Sequence, residues 1–202
     1  MTKEEYKFQF DFWTKTLGLS HKIPFNDIWK ITEKYEEKKL ENLHKERWNK
    51  NLADLNASYP SKEEFRKMIV RVEERIKNSS NGLIGAKVNQ VNPLKHEFGD
   101  NLYIREIFNP KGEILVTKIH KTKHPFFLMK GEMTIFDENK AVRIEAPFHG
   151  MTNPGTKRII YTHKDCIFIT VHSTKSKDLR KIENNIISRN YKIHTEKIKE
   201  FV

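Results

Sequence analysis

Two histidines four positions apart open the question of chemistry in this chain, in the segment Lys118-Ile-His120-Lys-Thr-Lys-His124. Side chains alternate along a strand, so Lys118 and His120 would share a face, which in a small β-barrel is the interior. His124 would follow after a tight turn. Two imidazoles from one hairpin can hold a divalent ion, yet a catalytic metal typically takes three protein ligands. The favoured third is His172, which closes the apolar run Ile167-Phe-Ile-Thr-Val-His172, because a polar residue ending such a strand suits a barrel mouth. His149 and His163 read more simply as surface or hydrogen-bonded histidines.

The elements that must position these residues follow from two different sequence patterns. Up to about residue 80 the chain reads as helical. Residues 4–17 hold an aromatic cluster assigned to a short helix, and Gly18 to Pro24 form a connection. Asn26 or Asp27 then offers an N-cap for a long charged helix that runs to about Leu55. A second helix is expected over 62–77. Ser61 and Glu64 form a capping box before it, and Phe65, Met68, Ile69, Val72 and Ile76 recur on one face that must be buried. The Lys and Glu runs from Glu33 to Arg47 fit a solvated face with i,i+4 pairs.

Asn78 to Asn81, followed by Gly82, mark a boundary, and beyond it short runs rich in Val, Ile, Thr and Phe alternate with turn signals. The turns are Asn109-Pro-Lys-Gly112, Lys130-Gly131, Asp137-Glu-Asn139 and Asn153-Pro-Gly155. Strands at this spacing predict a sandwich or a barrel over about 100–172, with Lys118 and His120 inward. A closing helix is expected near Asp178 to Ile187, carrying Leu179, Ile182, Ile186 and Ile187, before a basic tail. The resulting division is 1–80, 81–176 and 177–202.

The segment from Gly112 to Glu132 resembles the first motif of the cupin family, and Asn153-Pro-Gly155-Thr-Lys-Arg158 resembles the second. Six residues separate His124 from Gly131, so His124 stands where the family places a glutamate. By the same alignment His120 takes the second histidine position, Lys118 the first, and Arg158 the last. The resemblance covers about half the chain and implies an α+β protein: a cupin-like antiparallel β-barrel, a helical N-terminal region and a short C-terminal helix. It also implies a metal site at His120 and His124, to which His172, from its place at the end of an apolar strand, is the candidate third ligand. Neither Lys118 nor Arg158 can ligate a metal while charged, so any divalent metal is expected to bind weakly.

The same interior residues then describe a site for a small anion, with Lys118, His120, His124 and Arg158 binding a phosphate, carboxylate or nucleotide. A competing reading of Arg158 is a buried salt bridge to Glu106 or Glu145. The residues from Lys157 to His172 also resemble cupin-type proteins encoded by bacteriophages, which implies an alternative role as a structural or assembly component of a phage particle. The reaction, if the site performs one, is left open by these residues.

The net charge is +11, and residues 81–202 hold 21 Lys and Arg against 13 Asp and Glu. Solubility is the simplest use of that excess. Nucleic-acid association through it would be non-specific and would fall steeply with salt, because no recognition motif accompanies the charge. A homo-oligomer is expected through the barrel and the helix at 62–77. Cys166 is the only cysteine, which rules out an intramolecular disulfide and fits a reducing compartment. No signal-peptide pattern and no membrane-length apolar run is present, so the expected location is cytoplasmic, or the host cytoplasm or virion if phage-encoded.

Overall fold

The computed structural model describes residues 2–5, 7, 11, 25–83, 87–188 and 191. The helix expected over 4–17, the connection from Gly18 to Pro24 and the basic tail lie largely or wholly outside them. The chain forms two compact units, Met1–Ala53 and Asp54–Val202. The compositional change near residue 80 therefore marks a change of secondary structure within the second unit. No helix among the described residues is long and apolar enough to cross a membrane.

Helix α1 spans Phe25–Ala57, so the cap expected at Asn26 or Asp27 is already inside the helix. Helix α2 spans Lys62–Asn78 and begins as its sequence dictates. The Ser61 hydroxyl accepts from the Glu64 amide, while the Glu64 carboxylate accepts from the Ser61 backbone. Phe65 and Ile69 are fully buried, whereas Met68, expected beside them, is 37% exposed on the shoulder of the stripe. Polar contacts hold α2 to the sheets: Arg66 Nε lies 2.6 Å from Glu138, and Lys157 Nζ lies 2.6 Å from Glu73. Tyr59, just before α2, stacks on Phe65 and donates its hydroxyl to the Asp137 carbonyl. Truncating Phe65 to Ala should cost about 3–5 kcal/mol in a urea titration, since it removes a buried ring and leaves a cavity. A loss below about 1 kcal/mol would show that the α2 seat is not a packed core.

A single turn, α3 (Val88–Val91), leads into the sheets. One sheet holds five antiparallel strands in the order β1 (Leu94–Gly99), β2 (Leu102–Asn109), β10 (Cys166–Ser173), β5 (His124–Lys130) and β8 (Phe148–Thr152). The other holds β3 (Ile114–Val116), β9 (Ile159–Thr162), β6 (Glu132–Phe136) and β7 (Ala141–Glu145). A short ladder joins β4 (Ile119–His120) to β11 (Ile187–Ser188), which directly follows helix α4 (Leu179–Ile186). All four turn signals fall between strands. The architecture is α+β, with the antiparallel strands in two open ladders and not in the closed barrel that the sequence suggested. Strand β1 was not foreseen. At the free edge of β7 the Asn56 amide, in the last turn of α1, donates to the Ala141 carbonyl at 2.8 Å and accepts from the Ala141 amide at 2.9 Å.

The space between the sheets is filled differently at its two ends. Along β10 the buried residues alternate as Cys166, Phe168, Thr170 and His172. Phe168 and Cys166 join Phe126, Leu128, Met133, Ile135, Ile144 and Ile160 in an apolar core drawn from both sheets. Thr170 and His172 face the other end, where polar side chains gather. Asp178 is the N-cap of helix α4, its carboxylate accepting from two backbone amides, and the helix packs Ile182 and Ile186 with Ile187 and Tyr103 at that end.

Candidate functional site

The polar end is built by strand register. On β10, His172 pairs with Tyr103 of β2 and Thr170 pairs with Arg105, so these four side chains share the inner face. Thr170 pairs on its other side with Phe126 of β5, which begins at His124. His120 arrives from β4, which Ile187 of β11 flanks. The result is a cluster of three imidazoles: ring centroids lie 4.1 Å apart for His124 and His172, 4.4 Å for His120 and His124, and 6.1 Å for His120 and His172. Tyr103 extends the stack from His172, and its hydroxyl lies 2.8 Å from His96 Nδ1.

All three histidines are buried, at 7%, 2% and 1% exposure for His120, His124 and His172. Burial pushes the His120 imidazole down to about 2 and His172 down to about 3, with nearby His124 and the Arg105 guanidinium adding to each shift. His124 is lowered for the same first reason, against a hydrogen bond to the Thr122 carbonyl that favours its cation. These imidazoles are neutral near pH 7. Because His124 Nδ1 meets a carbonyl at 3.0 Å, that nitrogen must carry the proton, and Nε2 is left as a bare acceptor. His120 Nδ1, His124 Nε2 and His172 Nδ1 are all buried without a hydrogen-bond partner.

Arg158 lies near enough to this cluster for its charge to be felt at His120 and His124. Its guanidinium sits 5.0 Å over the Phe126 ring, Nη1 donates to the Thr152 hydroxyl at 2.8 Å, and Nε is buried without a partner. The close seat of Phe126 depends on Gly150, whose strand β8 pairs with β5. A Cβ on Gly150 would stand 2.6 Å from the ring. The salt bridge to Glu106 or Glu145 is not formed: Glu106 pairs with Lys95, and the Lys164 ammonium approaches Glu145.

Lys118 is the clear correction. Its side chain is 63% exposed and forms a surface ion pair with Glu183, so it does not face the interior with His120. The chain changes strand partner between Val116, paired with β9, and Ile119, paired with β11. Alternation therefore does not carry across Thr117 and Lys118. His149 is exposed beside Phe127, and His163 lies 2.8 Å from the Thr134 hydroxyl, as ordinary polar histidines. Arg105 was missed. Only its alternation with Tyr103 and Ile107 hinted at an inward face, and the register that sets it opposite Thr170 is a long-range fact.

Three histidines with bare nitrogens supply the number of donors that a metal needs, but not the arrangement. The rings lie at interplanar angles from 14° to 50°. Among the described residues no group of three or more His, Cys, Asp or Glu is placed to hold a metal ion.

No family model matches this chain, and no curated protein matches it. Solved structures match it over part of its length. The structure of KdgF from Halomonas sp. is 12% identical, with 50% of this chain and 94% of that one covered and a TM-score of 0.40. An RmlC-like cupin family protein with a double-stranded beta-helix fold from Methanocaldococcus jannaschii is 18% identical over 41% and 80% of the two chains, at a TM-score of 0.36. DMSP lyase DddQ from Ruegeria pomeroyi is 16% identical over 51% and 55%, at 0.38.

Proposed function

We propose that this protein is a cupin-like binder of a small anionic ligand, held between the sheets by Arg158 and the imidazoles of His120 and His172, with His124 lining the site. The observation that carries the reading is Arg158: a guanidinium that is 8% exposed, with one hydroxyl partner and no carboxylate. A buried cation without a counter-charge is costly, and an anion would satisfy it. Neutral His120 and His172 suit the role, since each keeps an unpartnered nitrogen that can turn its proton toward the anion, whereas the bare Nε2 of His124 is an acceptor and can only line the site. A divalent metal would sit beside that guanidinium at a penalty unless an anion lay between them, so metal binding should be weak.

The test is calorimetric titration of the full chain with sulfate and with acetate, alongside metal analysis of protein purified without a polyhistidine tag. Arg158→Gln should weaken the tighter anion at least tenfold and leave metal content unchanged. His120→Ala should lower affinity while the fold persists. A stoichiometric metal that disappears in Arg158→Gln would overturn the assignment. If neither anion nor metal binds, the better reading is an assembly component, such as part of a phage particle, that uses the sheets as scaffold.

A further inference from the structure

We infer that the anion is doubly charged, and that Arg105 supplies the second guanidinium that selects it. This inference rests on the anion reading above and adds the ligand's charge class. Arg105 lies on β2, opposite Thr170 on one side and His96 on the other, on the inner face that carries Tyr103. Its Nε is buried without a hydrogen-bond partner, as is that of Arg158. The two cations approach the imidazoles from different strands: Arg105 from the five-stranded sheet, Arg158 from the segment leading into β9. Both charges are felt at His120 and at His124.

The charge count decides the class. The two guanidiniums stay charged, because arginine does not give up its proton in proteins. The histidines between them are neutral or cationic and cannot cancel that charge. Among the described residues no carboxylate forms an ion pair with either arginine; the nearby Glu183 pairs with Lys118 instead. The carboxylates of Glu183 and Asp137 are felt at Arg105 and Arg158 from a distance, but among the described residues neither pairs with the guanidinium, so the two positive charges lack a direct partner. A monoanion would leave one of them without a direct counter-charge, whereas a dianion neutralises the pair. Guanidinium forks match the oxygens of phosphate, sulfate and carboxylate, and protonated nitrogens of His120 and His172 together with Thr hydroxyls can donate to the remaining oxygens. The ligand class is therefore a small dianion, either a tetrahedral oxyanion such as a phosphate monoester or a short dicarboxylate.

The experiment is isothermal titration of the full chain at pH 7.5 and constant ionic strength with four probes: sulfate, inorganic phosphate, malonate and acetate. At least one dianion should bind ten times or more tighter than acetate, and whether sulfate and phosphate or malonate is preferred identifies the source. Arg105→Gln should bring dianion affinity to within about threefold of acetate while acetate binding persists. Arg105→Lys, which keeps the charge, should retain most of the preference, and it stands in if the Gln variant fails to fold. Equal affinity for acetate and all dianions in the unaltered protein overturns the inference while leaving an anion site in place. So does an Arg105→Gln variant that keeps the full preference. Binding of none of the probes overturns both this inference and the anion reading.

Discussion

Lowering the pH from 7 to 5 is expected to remove about 4 kcal/mol of stability through His120 and His172 alone, about 2 kcal/mol from each. Both imidazoles titrate far below their ordinary value of 6.5 in the folded protein, at about 2 and about 3. In the unfolded chain they regain that ordinary value. Between pH 6.5 and about 3, unfolded molecules take up protons that folded ones refuse, so acid favours unfolding. The contribution is fully present above pH 6.5, and it falls through the whole window as pH drops. Carboxylates add little above pH 5, because their ordinary values lie near 4. Urea midpoints at pH 7 and pH 5 measure the slope, and a variant with His120→Gln and His172→Gln should flatten it. An unchanged slope in that variant would place the acid sensitivity elsewhere.

Replacing Gly131 with alanine should be the most damaging single-methyl change in the sheets, destabilising by at least about 3 kcal/mol. Gly131 turns the chain from β5 into β6 at φ +91, a conformation that side-chain-bearing residues rarely adopt. A Cβ there would also stand 2.2 Å from the Asp165 carbonyl oxygen and 2.7 Å from Cys166 Sγ. The oxygen belongs to backbone ahead of β10, so it cannot swing aside as a flexible side chain would. Gly112 separates the two effects, because it has φ +82 with nothing within 4 Å of a built Cβ. Gly112→Ala should show the backbone strain alone, about 1–2 kcal/mol. Equal losses in guanidinium titrations of the two variants would show that the collision at Gly131 is relieved, contrary to the expectation.

What could be read in advance follows from the range of the forces involved. The capping box of Ser61 and Glu64 and the turns at Gly112, Gly131 and Gly155 are local, and each lies where its residues put it. The inward faces of His120, His124 and His172 were also legible, as polar residues in or beside apolar strands. Lys118 was misplaced because period-two reasoning assumes one unbroken strand, whereas the chain leaves β9 for β11 within three residues. Arg105 went unnoticed because its meaning comes from Thr170, 65 positions later, and from the imidazoles packed beyond it. Met68 shows a finer limit: helical spacing identifies a stripe, but the width of the groove that receives it decides which shoulder residue stays wet.

The amide of Asn56 has a bearing on how molecules of this protein behave in a crowd. Strand β7 is the last of its sheet, and an outermost strand offers its backbone to any passing β-segment, which is how sheets of separate molecules fuse and aggregate. At Ala141 both groups that an incoming strand would seize are already engaged by one side chain that imitates a peptide unit. An intruder would have to evict that amide before making its first pair of bonds, and would gain nothing at that position by doing so. A single asparagine, borrowed from the end of a helix, thus makes the start of this border poor ground for intermolecular growth.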